Sequence, residues 1–168
     1  MLKEPAIRNI DKLFDLYSGS HQDPANRVIH WICIPFTTFG LLGLVWSIPF
    51  PHLEFLGKYN GFINWASFLI ALSIYYYYRL SPVLSYGMLL IVFGFSALIV
   101  SLEKLEANSG WPQVWEICLG VFILALAGQI IGHKIEGRRT SLATELKFLI
   151  DGPFWLMHFL FKKAGIRY

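Results

Sequence analysis

The stretch Val28–Ile48, VIHWICIPFTTFGLLGLVWSI, contains no Asp, Glu, Lys or Arg. A helix that crosses a bilayer needs roughly 17–25 predominantly apolar residues, so this run is long enough to span. Three further runs follow it. Gly61–Tyr78 and Pro82–Leu102 are also uncharged, and Pro112–Ile131 has Glu116 as its single carboxylate, beside Trp115 at the outer, interfacial end. A short chain with no alternating strand pattern can satisfy its backbone in lipid only as helices. The expectation is an all-α integral membrane helical bundle, one membrane domain over 1–168, with four transmembrane helices at about 28–48, 61–78, 82–102 and 112–131.

Composition agrees with this reading. Of 168 residues, 55% are apolar, 17% aromatic and only 15% charged, whereas a soluble domain carries about 25% charged residues. That excludes a disordered chain, a coiled coil and most soluble enzymes. No run of four Lys or Arg occurs, so nucleic acid is not an expected partner. Cys33 and Cys118 lie in apolar runs and read as buried packing residues. The segment before Val28 carries eight charged residues, from Lys3 to Arg27, so the first span is not a cleavable signal peptide.

Two flanking segments are amphipathic and read as interfacial helices. From Ala6 to Tyr17, Ile7, Ile10, Leu13, Phe14 and Tyr17 recur at helical spacing. Over about 142–161, Leu142–Ile150 predicts a helix ending at Asp151-Gly152-Pro153, followed by Phe154–Phe161, which is apolar but too short to cross.

With four spans, the two termini and the middle connection share one side. Lys3, Arg8, Lys12 and Arg27, then Arg79, then Lys134, Arg138, Arg139, Lys147, Lys162, Lys163 and Arg167 lie there, against Lys58 and Lys104 opposite. The positive-inside rule puts both termini in the cytoplasm. Trp31, Trp46, Trp65, Trp111 and Trp115 fall near span ends, and Tyr75-Tyr76-Tyr77-Tyr78-Arg79 reads as an interfacial girdle.

This topology brings histidines together. His30 starts the first span, His133 ends the fourth and His21 precedes the first, all at the cytoplasmic side, while His52 belongs to the other side. Asp23-Pro24 reads as an N-cap with proline at the first helical position. The helix break there lets His21 fold back towards His30, and Asn26 and His30 share a helix face as i and i+4. Gln129, His133 and Glu136 form one polar stripe on the last span, where polar groups face protein or water rather than lipid. Gly128-x-x-x-Gly132 beside it permits close helix approach. Imidazoles with a carboxylate suit non-haem iron, zinc, nickel or copper. No Cys/His pair has structural-zinc spacing. A mononuclear iron with open positions fits the ligand count. His158, near Trp155 and Met157, reads as a membrane-surface residue.

The run His21-Gln22-Asp23-Pro24-Ala25-Asn26-Arg27-Val28-Ile29-His30, then Pro35, and far along the chain Gly132-His133-Lys134-Ile135-Glu136-Gly137-Arg138-Arg139 resembles the 2-hydroxy fatty acid dioxygenase family of phytosphingosine breakdown. The resemblance runs from Tyr17 to the C-terminal apolar segment. It departs from the family pattern at Ser20, where an aromatic residue is common, and at Thr140-Ser141, where a proline is common. It implies a membrane enzyme using Fe²⁺ and O₂ to shorten a 2-hydroxy fatty acid by one carbon. The family's histidines correspond to His21, His30 and His133, with Glu136 as a further candidate ligand. Asn26, Gln129 and Arg138 are candidates to hold the substrate carboxylate or to support the metal ligands. The host membrane would be a bacterial inner membrane or the endoplasmic reticulum. Two other readings use the same residues: a haem electron carrier with His30 and His133 as axial ligands, and a non-catalytic membrane scaffold or small transporter.

Overall fold

The computed structural model describes residues 8–19, 21–55, 57, 63–137 and 142–168. The elements are α1 (Asn9–Gly19), α2 (Pro24–Trp46), α3 (Trp65–Leu80), α4 (Pro82–Ser109), α5 (Val114–Ile135) and α6 (Leu142–Lys163), and no strand occurs among the described residues. The Ala6 start of the first amphipathic segment, the Gly61 start of the second span and Arg138 lie outside them.

Among the described residues three helices, not four, are long and apolar enough to cross a membrane: α2, α4 and α5. The predicted second span is shortened to α3 because Asn64 caps it, its side chain accepting from the Ser67 amide at 3.0 Å. Sixteen residues of helix measure about 24 Å, less than a hydrocarbon core of about 30 Å. Even so, α3 carries the chain from one end of the bundle to the other. Trp65 at its start packs on Phe50, and Tyr77 near its finish hydrogen-bonds Ile150 O and stacks on Phe154. The other helices begin or end about where expected. α2 starts at Pro24 behind the Asp23 cap, whose carboxylate accepts from the Ala25 and Asn26 amides, and α4 continues past Leu102 to Ser109.

The central contact is antiparallel packing of α2 on α5, built on small residues. A Cβ on Gly40 would meet the Cys118 carbonyl at 2.9 Å and Phe122 at 2.8 Å, and one on Gly128 would meet Cys33 Sγ at 2.6 Å. Gly43 against Cys118 and Gly132 against Asn26 are closer still. The Gly128/Gly132 pair thus works as small-xxx-small motifs do, letting backbones approach. Cys118 is buried and Cys33 half-buried in this seam, as packing residues. On the outer faces of α3, α4 and α5, Leu72, Leu90, Phe93, Ile123, Leu124 and Ile130 are exposed, an apolar surface suited to lipid.

The C-terminal segment corrects the expectation of a helix broken at Asp151-Gly152-Pro153. α6 runs through these residues as one helix. Pro153 removes a backbone donor, but hydroxyls from α3 brace the same stretch: Tyr76 donates to Asp151 Oδ1 at 2.9 Å and Tyr77 to Ile150 O at 2.7 Å. Nor does the apolar face of α6 rest on lipid. Phe154, Trp155, Leu156 and Met157 are buried in one core with Ile10, Phe14 and Tyr17 of α1 and Leu84 and Met88 of α4. α1 and α6 together form a layer across the end where α2 and α4 begin. Trp31 meets Phe159 there, and Gly87 gives room to Met157 and Phe161. The amphipathic pattern of α1 is real; its partner is α6.

Candidate metal centre

Each histidine is placed by a local feature of the chain. His21 follows the end of α1, its ring stacked on Tyr17 with centroids 4.4 Å apart and planes 6° apart. His21 Nδ1 lies 2.9 Å from Tyr17 O. A carbonyl only accepts, so Nδ1 carries the hydrogen and Nε2 is the ring nitrogen turned toward His133. His30 comes from the second turn of α2, and His133 from the last turn of α5.

The three rings converge. Ring centroids are 4.2 Å apart for His21–His30, 4.7 Å for His30–His133 and 5.4 Å for His21–His133, and His21 Nε2 lies 3.3 Å from His133 Nε2. One nitrogen from each lies within 4.8 Å of the other two. His21 and His30 are fully buried and His133 is 7% exposed. Both ring nitrogens of His30 are buried without a hydrogen-bond partner. Buried polar atoms are rarely left so, and each costs about 1–3 kcal/mol unless something satisfies it. Imidazole nitrogens ligate a divalent metal at about 2.0–2.1 Å, which places two ligands of one ion up to about 4 Å apart. The donor set therefore fits one metal ion, and the 4.8 Å limit on the nitrogens' spread lies within about 1 Å of that span. Phe148 and Trp155 of α6 wall the cluster, with centroids 5.5 and 6.1 Å from His21.

Glu136 is not brought into this cluster. Its carboxylate accepts from the Gln22 and Asp23 amides at 2.9 Å each and from Asn26 Nδ2 at 3.0 Å. It thus ties the end of α5 to the N-terminus of α2, where a negative charge is favoured. Burial works to raise this carboxyl, but the bonds from Asn26, Asp23 and Gln22, with His21 nearby, outweigh it and hold it down at about 2. The side-chain oxygen of Asn26, Oδ1, is buried without a conventional donor and faces Gly132. Gln129, one turn deeper than His133, donates from Nε2 to Thr37 Oγ1 at 2.6 Å. His158 lies elsewhere, on Phe14 at 4.4 Å and bonded to the Tyr168 hydroxyl. His52 is exposed near Phe50, at the opposite end from the cluster. Glu116 accepts from the Gln113 amide at 3.0 Å and caps the start of α5.

Sequence reading missed Tyr17, Thr37, Phe148 and Trp155. Tyr17 and Thr37 had a usable signal, being one turn before His21 and two turns after His30. The α6 aromatics had none, because only tertiary packing brings them to the site.

Residues 7–164, which include all six helices, match the family described as 2-hydroxy-palmitic acid dioxygenase Mpo1-like. The chain belongs to that family. No curated protein and no solved structure matches it. In this Mpo1-like chain the histidines of the recognised pattern are the three that meet at the buried end of the α2–α5 seam.

Proposed function

We propose that His21, His30 and His133 hold one Fe²⁺ and that the protein is a membrane dioxygenase that converts 2-hydroxy fatty acids to fatty acids one carbon shorter. The observation that carries this reading is the convergence of three buried imidazoles, two of them from the His21–His30 segment and one from α5, with His30 otherwise unpartnered. The family description names the substrate class. Atoms and electrons balance as RCH(OH)COOH + O₂ giving RCOOH, CO₂ and H₂O, with O₂ taking the four electrons. When bound, Fe²⁺ would supply a Lewis-acidic centre with open positions for the 2-hydroxy carboxylate and O₂.

The chain's own groups do the positioning. Tyr17 O fixes the His21 tautomer, as an outer hydrogen bond does for metal-ligating histidines. Gln129 stands between the cluster and the apolar interior and is placed to donate to the substrate carboxylate, while its bond to Thr37 holds the amide in orientation. Glu136 and Asn26 keep the ends of α2 and α5 in register, so that His30 and His133 stay opposed. Phe148 and Trp155 exclude water. The imidazole rings pack on one another too closely to leave a porphyrin-sized slot between His30 and His133, which speaks against the haem reading. The chain still returns to the histidine end through α3, so the basic residues stay concentrated there, and we assign that end to the cytoplasm. A bacterial inner membrane or the endoplasmic reticulum is the compartment this implies.

The test is metal analysis of detergent-purified protein with an absorption spectrum on the same sample, followed by oxygen uptake with a 2-hydroxy fatty acid. One iron per chain, no haem band and substrate-dependent uptake are expected. Substoichiometric metal after anaerobic loading with Fe²⁺ would overturn the iron assignment.

A further inference from the structure

The end of the molecule that carries the histidines is unevenly charged at its surface. Its carboxylates are mostly engaged. Asp11 pairs with Arg8, Asp23 accepts from the Ala25 and Asn26 amides, Glu136 accepts from the Gln22 and Asp23 amides, and buried Asp151 accepts from Tyr76. Its cations are not. Among the described residues the one ion pair is Arg8–Asp11, and Lys12, Lys134, Lys147, Lys162, Lys163 and Arg167 are exposed with no side-chain partner. Three of these six lie together at the end of α6. There Gly165, at φ 71°, turns the chain back, its amide on Lys162 O at 3.2 Å and the Ile166 amide on Phe161 O at 2.9 Å. Arg8 then holds Tyr168 O at 2.8 Å, so the backbone of Arg167 is fixed between two anchored residues.

We propose that Lys162, Lys163 and Arg167 form a docking surface for the headgroups of anionic phospholipids in the leaflet at the histidine end. The depth of the α6 terminus along the bundle brings lipid to it. Val28, Ile32 and Phe36, one turn apart, form an exposed apolar stripe on α2, so hydrocarbon begins near Val28. Trp31 lies at the height of that stripe and meets Phe159 of α6 at 5.8 Å, while Gly87, in the second turn of α4, gives room to Phe161. The last turn of α6 therefore lies at the boundary between hydrocarbon and headgroups. Leu160 and Ile166 are exposed beside the three cations. Basic and apolar side chains so mixed suit a lipid, with the lysine stems running out of the apolar zone to the phosphates. Three full positive charges outweigh the roughly half negative charge of a helix C-terminus. A soluble anion would use the charges and leave Leu160 and Ile166 in water.

The test is native mass spectrometry of the full chain in a non-ionic detergent with equal amounts of phosphatidylglycerol and phosphatidylcholine. The wild type should retain phosphatidylglycerol in preference. Neutralising the site with Lys162→Gln, Lys163→Gln and Arg167→Gln together should weaken that retention by about fivefold per charge removed, more than tenfold in all, and leave phosphatidylcholine unchanged. Lys104→Gln, at the other end, should change neither lipid. The three side chains bond to nothing else in the protein, so the triple variant should keep the wild-type circular dichroism and thermal midpoint in lipid-free detergent. A salt titration of the wild type reads the same site without a substitution: phosphatidylglycerol should be lost as ionic strength rises from about 0.05 to about 0.5 M, and phosphatidylcholine should not. Equal retention of the two lipids by the wild type, or full retention of phosphatidylglycerol by the folded triple variant, would overturn the proposal. Displacement of the lipid by an equal concentration of polyglutamate would assign the surface to an acidic protein and overturn it as well.

Discussion

His133 and His158 both sit in apolar helices at the same end of the molecule, and they make a clean contrast. His133→Ala removes one of three convergent imidazoles and, on the function proposed above, should bring bound iron from about one per chain to near zero, with the far-ultraviolet circular dichroism of a helical protein retained. His158→Ala, at a ring packed on Phe14, Phe159 and Tyr168, should keep its iron. Glu136 makes a different prediction. Its folded carboxyl titrates at about 2 instead of its ordinary 4.5. A depressed carboxyl stabilises the fold above the unfolded value, and that contribution is lost as pH falls through the folded one. Acid unfolding of the wild type should therefore show a decline between pH 4.5 and 2 that Glu136→Gln lacks, the variant being less stable at neutral pH. The histidine set was legible in the sequence because helix direction alone sorts His21, His30 and His133 to one end and His52 to the other. The role of Glu136 was not legible, because two of its three donors are backbone amides 113 and 114 residues away.

Among the elements, the α2–α5 seam shows what the small residues do. A Cβ on Gly40 meets Cys118 O and Phe122 Cα, which are backbone atoms, whereas a Cβ on Gly43 meets chiefly the Cys118 side chain. Each alanine substitution should destabilise by about 1–3 kcal/mol in a thermal or denaturant midpoint, the usual scale of overpacking. Cys118→Ala should restore much of the loss for Gly43→Ala and little for Gly40→Ala. Equal rescue of both would mean that the helices simply move apart. The long apolar runs announced α2, α4 and α5, since length and absence of charge suffice to define them. α3 and α6 were misjudged for opposite reasons. Apolar residues continue upstream of Trp65, yet the Asn64 cap ends the helix there. Gly152-Pro153 is a breaker pair by local rules, yet contacts to Tyr76 and Tyr77 carry α6 through it. Tyr77→Phe, which removes the hydroxyl bond to the Ile150 carbonyl, should cost about 1 kcal/mol.

Taken as a whole, the molecule has two unlike ends. The histidine end carries α1, α6 and the Arg8 clamp on Tyr168, while the other carries Phe50, Trp65 and the Trp46–Glu103 hydrogen bond. Cysteines placed by His52→Cys and Arg167→Cys, in a background without Cys33 and Cys118, should react with an impermeant thiol reagent from opposite faces of sealed vesicles. Modification of both from one face would overturn the assigned topology. The separation of His21 from His133, 112 residues along the chain, has a consequence in time. At about 5–20 residues per second of synthesis, roughly 6–22 s pass between the first histidine and the last. Through that interval the nascent chain offers only His21 and His30, a two-toothed chelate, and α1 still lacks α6 to cover its apolar face. On the function proposed above, metal acquisition can only follow the insertion of α5, and a cell short of iron would accumulate a fully threaded but chemically silent protein.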